Sequence, residues 1–178
     1  MFASLTVRTR LALLLAFVNL MLFAAAGYAW YAISRLNGQL EHTIREHHHV
    51  EAAANFARKA QVDFKVQVQE WKNVLIRGND PALYERHWKA FTDRSQKVKA
   101  NLVALNAEAK TIGLPGEIAD KAIAEHEELD RRYHAAIKSF DATKEASADV
   151  VDQLVRGIDR AATENIDGLV TQIGRAHV

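Results

Sequence analysis

The sequence predicts an all-α protein, an N-terminal transmembrane helix that continues into an antiparallel four-helix bundle. Three observations predict this class. Helix breakers are scarce: 178 residues hold 8 glycines and 2 prolines, with neither type between Gly38 and Gly78 or between Gly116 and Gly157. A 24-residue run without formal charge, Leu11 to Ser34, lies between Arg10 and Arg35. Beyond it, apolar residues recur at heptad spacing. Composition also excludes chemistry. Without cysteine there are no disulfides, thiolate zinc sites, iron–sulfur clusters or cysteine nucleophiles. A net charge of +1 gives no electrostatic case for nucleic acid.

The first element is the membrane segment. At ~1.5 Å per residue the 11–34 run reaches roughly 36 Å, enough to cross a hydrocarbon core with some tilt. Arg8 and Arg10 precede it, and Tyr28, Trp30 and Tyr31 cluster at its far end as an interfacial belt. The positive flank places residues 1–10 in the cytoplasm and residues from 35 onward outside it. Ala24-Ala25-Ala26 offers a signal-peptidase alternative, but a signal core spans only about 7–15 apolar residues, so an uncleaved anchor is expected.

Four helical stretches follow. In the first, Leu40, His47, Ala54, Gln61, Val68 and Leu75 form one heptad row and Thr43, Val50, Ala57, Phe64 and Trp71 a second, ending at Arg77-Gly78. No strong break separates this stretch from the anchor. Asn79-Asp80-Pro81 then supplies a turn, an N-cap and a proline at the first helical position. The second stretch alternates steps of four and three through Tyr84, Trp88, Phe91, Ser95, Val98, Leu102, Leu105, Ala109 and Ile112. Gly113-Leu114-Pro115-Gly116 closes it. A third turns Ile118, Ala122, His126, Leu129, Tyr133, Ala136 and Phe140 inward. After a weakly patterned 143–147, the fourth carries Val151, Leu154, Ile158, Ala162, Leu169 and Ile173. A 3.5-residue period with short connections specifies antiparallel neighbours at shallow crossing angles.

The fourth helix is expected to be truncated, because the return to the membrane needs roughly 40 residues and fewer remain after Ser147. The tail Ile173-Gly174-Arg175-Ala176-His177-Val178 reads as the translation of the opening nucleotides of a common sequencing adapter. Residues 173–178 are therefore expected to be an artefact rather than part of the fold.

The stretch Gln61-Val62-Asp63-Phe64-Lys65-Val66-Gln67-Val68-Gln69-Glu70-Trp71-Lys72-Asn73-Val74-Leu75-Ile76-Arg77-Gly78 resembles bacterial methyl-accepting chemotaxis receptors. So do Tyr84-Glu85-Arg86-His87-Trp88-Lys89-Ala90-Phe91 and Val155-Arg156-Gly157-Ile158-Asp159-Arg160. The resemblance implies a homodimeric receptor with a periplasmic four-helix sensor, a second membrane helix, a HAMP relay and a cytoplasmic signalling hairpin. Such a receptor senses a small ligand and passes a helix displacement across the membrane.

No enzyme constellation is present: no phosphate loop, no nucleophile elbow and no His-Glu-x-x-His run. No cofactor is implied. The candidate ligand site is a polar layer at one depth of the bundle, where Gln61, Ser95, Tyr133 and Ile158 share a height beside Lys65, Arg94, Arg131, Arg132 and Arg160. Unpaired polar groups at seam positions are costly. Arginine suits a carboxylate through paired hydrogen bonds, so a small anion, an organic acid or an amino acid, is the expected ligand. A self-satisfied polar layer that sets helix register is the alternative. Trp71, Trp88 and Phe91 are expected to be packing. His42, Glu46 and His49 share a helix face that suits a metal or a proton sensor, or only a polar surface. The input domain of a sensor kinase or cyclase, and a membrane-tethered metal-binding bundle, are the alternative functions.

Overall fold

The computed structural model describes residues 6–114, 116–144 and 146–176, and the described residues are almost entirely helical. Five α-helices follow in order: α1 Val7–Arg77, α2 Pro81–Thr111, α3 Glu117–Ala136, α4 Ser147–Val155 and α5 Asp159–Ala176, with a 3₁₀ turn at Ile137–Ser139 after α3. Residues 1–5 of the predicted cytoplasmic segment, Pro115 in the loop before α3, and the tail residues His177 and Val178 lie outside the described residues. The chain divides into two compact units, one up to Arg45 and one from Glu46 onward.

The first unit is the N-terminal part of α1. It is long and apolar enough to cross a membrane, and none of its apolar window is buried by the rest of the chain. Asn19 donates its Nδ2 to the Leu15 carbonyl at 2.8 Å, one turn back. A polar side chain that closes on its own helix carries less of the cost of leaving water.

The second unit holds one continuous apolar core drawn from all five helices. On α1 the buried face is Ala53, Ala57, Ala60, Phe64, Gln67, Trp71 and Val74, in steps of four and three. The row Ala57, Phe64, Trp71 is as the heptad predicts. In the other row Ala54 and Leu75 are buried, Gln61 and Val68 are half-buried, and Leu40 and His47 are exposed. Gln67 takes the inner place instead, because His126 on α3 donates Nε2–H to its Oε1 at 2.9 Å and removes much of the cost of burying an amide. The α2 pattern is buried as read, with Phe91, Ser95, Val98, Leu102, Leu105 and Ala109 inside. On α3 the predicted Ala122, His126, Leu129, Tyr133 and Ala136 are likewise inside.

The helix ends are built from local chemistry. Asp80 accepts hydrogen bonds from the Ala82 and Leu83 amides at 2.8 and 3.2 Å, with Pro81 at the first helical position. At the other end of α2, Gly113 sits at φ +72°, the Leu114 amide reaches the Ala109 carbonyl at 2.9 Å and the Gly113 amide the Lys110 carbonyl at 3.2 Å. This is a Schellman closure. Gly78 closes α1 where a Cβ would collide with the Val74 carbonyl oxygen and the Phe140 ring, and that ring stacks on Tyr84 with centroids 5.6 Å apart.

The fourth stretch departs from the expectation of one helix. It is two helices, α4 and α5, joined by Arg156, Gly157 and Ile158. Within α4 the step from Val151 is four rather than three, so Val155 is buried and the predicted Leu154 is half exposed to solvent. Ile158 is half-buried, and Ala162, Leu169 and Ile173 point inward as the pattern requires.

Two expectations follow. Gly78→Ala forces a methyl into backbone and an aromatic ring, and overpacking of this kind costs about 1–3 kcal/mol; chemical denaturation of the full chain in detergent should show that loss, whereas Gly174→Ala, with open space around its Cβ, should not. Burial lowers the pKa of His126 below its ordinary 6.5, against the opposing pull of Asp130 and Glu127. The unfolded chain therefore binds a proton that the native chain resists. The stability that neutral His126 supports is complete above pH ~6.5 and is lost as pH falls toward its native pKa. Between pH 7 and 5 the wild-type Tm should fall further than that of His126→Gln, which cannot titrate; parallel pH profiles would contradict this.

Candidate ligand-binding site

Most charged groups of the predicted layer are engaged within the fold. Asp63 on α1 accepts from Arg94 Nη1 at 2.5 Å and from Asn101 Nδ2 at 3.0 Å, both on α2. Gln61 donates Nε2 to Asp167 on α5 at 2.7 Å, and Lys65 Nζ lies 3.9 Å from the same carboxylate. Ser95, buried on α2, donates to Asp130 Oδ1 at 2.6 Å. Arg131 is exposed and closes on Glu128 of its own helix at 2.6 Å. Tyr133 is buried against Trp71, Phe91 and the start of α5.

Arg132, the pair Ser95 and Arg131, and Tyr133 border three different surface hollows, and Gln61, Lys65 and Arg94 line none of the three. Arg132 borders a hollow of about 340 Å³ between α3 and α5, with Glu125, Glu128, Leu129 and Ile158. Ser95 and Arg131 border a second, of about 320 Å³, with Lys99, His126, Glu127 and Asp130. Lys99 binds Glu127 at 2.6 Å and holds its carboxyl below the ordinary value. Tyr133 borders the third, of about 280 Å³, which α1 and the α4–α5 junction complete with Trp71, Lys72, Asp152, Arg156, Asp159 and Arg160.

Electrostatics separate the three. In the first hollow one guanidinium faces two carboxylates. In the second, Lys99 and Arg131 are matched by Glu127 and Asp130. The third alone has cations in excess: Lys72, Arg156 and Arg160 against Asp152 and Asp159, with Arg156 lying 3.5 Å from Asp152. Among the described residues, Lys72 and Arg160 have no ion-pair partner. Two neutral donors stand with them. The Tyr133 hydroxyl has its pKa pushed above the ordinary 10.0, first by burial and then by Asp159 and Asp152, so it keeps its proton. Trp71 Nε1–H is buried with no hydrogen-bond partner among the described residues. A concave surface with excess cations, a retained phenol proton and an unspent indole donor can hold a small anion.

Sequence reasoning missed Lys72 and Arg156 here and read Trp71 as packing. That role for Trp71 holds in part: its ring lies 4.5 Å from Tyr133 and 5.7 Å from Phe91, and Trp88 stacks on Phe91 at 5.1 Å. A signal is available in the sequence, because the segment Val155 to Arg160 carries part of the resemblance and supplies five of the lining residues. At the other end of the unit, His49 Nδ1 lies 2.7 Å from Glu108 Oε2, which occupies one member of the predicted histidine face. Among the described residues no group of three His, Asp or Glu side chains is placed to hold a metal.

No family model matches the chain, and no solved structure matches it. Among characterised proteins, the methyl-accepting chemotaxis protein CtpH of Pseudomonas aeruginosa is 34% identical over 129 residues, which covers 70% of this chain and 21% of that protein. The chain thus spans about a fifth of its relative's length. At that identity over so long a helical stretch, the chain is a relative of the bacterial methyl-accepting chemotaxis proteins.

Proposed function

We propose that the chain is the input end of a chemotaxis receptor: a membrane anchor at 11–34 and, from 35 to 172, a periplasmic sensor that binds a small anion. In this reading α4 and α5 together form the fourth helix of an antiparallel bundle, and two copies of the chain pair as a homodimer in the inner membrane. The cationic excess of the hollow at the α4–α5 junction carries the ligand reading. An organic acid or amino acid would place its carboxylate between Arg160 and Lys72, with hydrogen bonds from Tyr133 and Trp71. Water is then excluded, and the anion's preference for one helix arrangement shifts the population toward it. A second reading keeps the carboxylate on Arg132 in the α3–α5 hollow, where that guanidinium has no ion-pair partner among the described residues.

Topology is tested by fusing, after Asn79, a reporter that is active only outside the cytoplasm. Activity in the membrane fraction is expected, and activity confined to cytoplasmic reporters would reverse the orientation. The ligand reading is tested by a thermal-shift screen of organic acids and amino acids on the full chain, repeated with Arg160→Ala, Lys72→Ala and Arg132→Ala. Loss of a charged hydrogen-bond partner costs about 1.5–3 kcal/mol, so affinity should fall roughly 10- to 150-fold in the first two variants and stay unchanged in the third. The opposite pattern would move the site to Arg132. Hits that bind all variants as well as the parent would show that neither hollow is the site.

A further inference from the structure

The junction between α4 and α5 is a type II turn set into a sequence written as one helix. Arg156 leaves the helix at φ −59°, ψ 118°, Gly157 follows at φ +74°, and the Ile158 amide bonds the Val155 carbonyl at 3.2 Å. These are close to the ideal type II angles of about −60° and +120°, then about +80° at the position that requires glycine. The apolar spacing does not register this turn. Val151, Val155, Ile158, Ala162, Ile166, Leu169 and Ile173 follow one another in steps of four and three across it. The side chains therefore suit a continuous helix, while the backbone takes a turn that only Gly157 makes accessible without strain. No proline enforces the turn, and a Cβ on Gly157 would meet nothing nearer than Arg160 Nε at 3.7 Å. The left-handed φ alone, not crowding, disfavours residues other than glycine and asparagine.

The cationic hollow has walls on both sides of this turn. Asp152, Val155 and Arg156 precede Gly157, Asp159 and Arg160 follow it, and α1 and α3 supply Trp71, Lys72 and Tyr133. An occupant touching both flanks has different contacts with a turned and with a helical junction. Differential contact is what shifts a two-state equilibrium.

We infer that Val155–Ile158 is a two-state joint, turned when Gly157 is left-handed and helical when it is not, and that occupancy of the hollow sets the balance. The coupling rests on the anion-site reading; the joint itself does not. In the turned state the only amide bonds at the junction are Ile158 to Val155 and Arg160 to Gly157, the latter long at 3.4 Å, whereas a helix would protect every amide from Arg156 to Arg160.

Hydrogen exchange on the full chain in detergent, read by mass spectrometry on peptides covering 154–161, tests both parts. Without any ligand, Gly157→Ala removes the freedom for positive φ and should slow exchange there at least tenfold, with little change on α2. Gly157→Asn, which tolerates the left-handed region, should exchange like the parent. Unchanged or faster exchange in Gly157→Ala, with the rest of the chain protected as in the parent, would overturn the joint. Succinate, aspartate and inorganic phosphate are then titrated as probe anions. An anion that stabilises the parent but not Lys72→Ala should change exchange at 154–161 at least threefold, and less in Gly157→Ala. Binding with no change at the junction would overturn the coupling. If Gly157→Ala behaves as expected and no probe binds, the anion-site reading fails while the joint stands.

Discussion

The buried face of α1 between Ala53 and Val74 is the constraint to which the other helices conform. It presents four alanines first and then Phe64, Gln67, Trp71 and Val74, so its side-chain volume rises along the helix. Small residues admit a neighbouring backbone closely, and large ones fill the space between separated helices. The partners match this gradient. Trp71 meets Phe91 on α2 and Tyr133 on α3, and Phe64 meets the edge of the His126 ring at 5.9 Å. Polar bonds from this helix also reach three of its neighbours. Asp63 binds α2, Gln67 binds α3 and Gln61 binds α5. Axial position and rotation of the unit from Glu46 onward are thereby set by one helix.

Much of this was legible as spacing. Periods of three and four marked α2 and α3 residue by residue, because an apolar stripe at that period has only one buried solution. The Asp80-Pro81 start and the Gly113 stop were legible because cap and turn chemistry is local. The inner face of α1 was not. An alanine row carries no strong pattern, and an amide at Gln67 reads as exposed until its partner, 59 residues away, is known. The break at Gly157 escaped for a related reason: the side-chain pattern passes through it unchanged, and only the backbone departs.

The candidate site was legible in kind but not in place. Counting residues from the distal tip located a band of cations and hydroxyls, but Tyr133 packs on Trp71, ten residues along α1 from Gln61. Depth says nothing of azimuth. Arg131 and Arg132 are adjacent in sequence and roughly 100° apart around α3, so they border different hollows. Pairing is equally invisible in the sequence. Asp63, Asp130 and Asp167 absorb donors that would otherwise have been candidates, and the cations left over define the hollow beside Tyr133.

The alanine end of α1 has a mechanical meaning. A surface of methyl groups is shallowly corrugated, so a helix lying on it meets low barriers to sliding along its axis. Interlocked rings behave as a pawl, since Trp71, Phe91 and Tyr133 cannot pass one another without leaving their rotamers. One helix therefore offers its neighbours a clamp at the aromatic end and a bearing at the other.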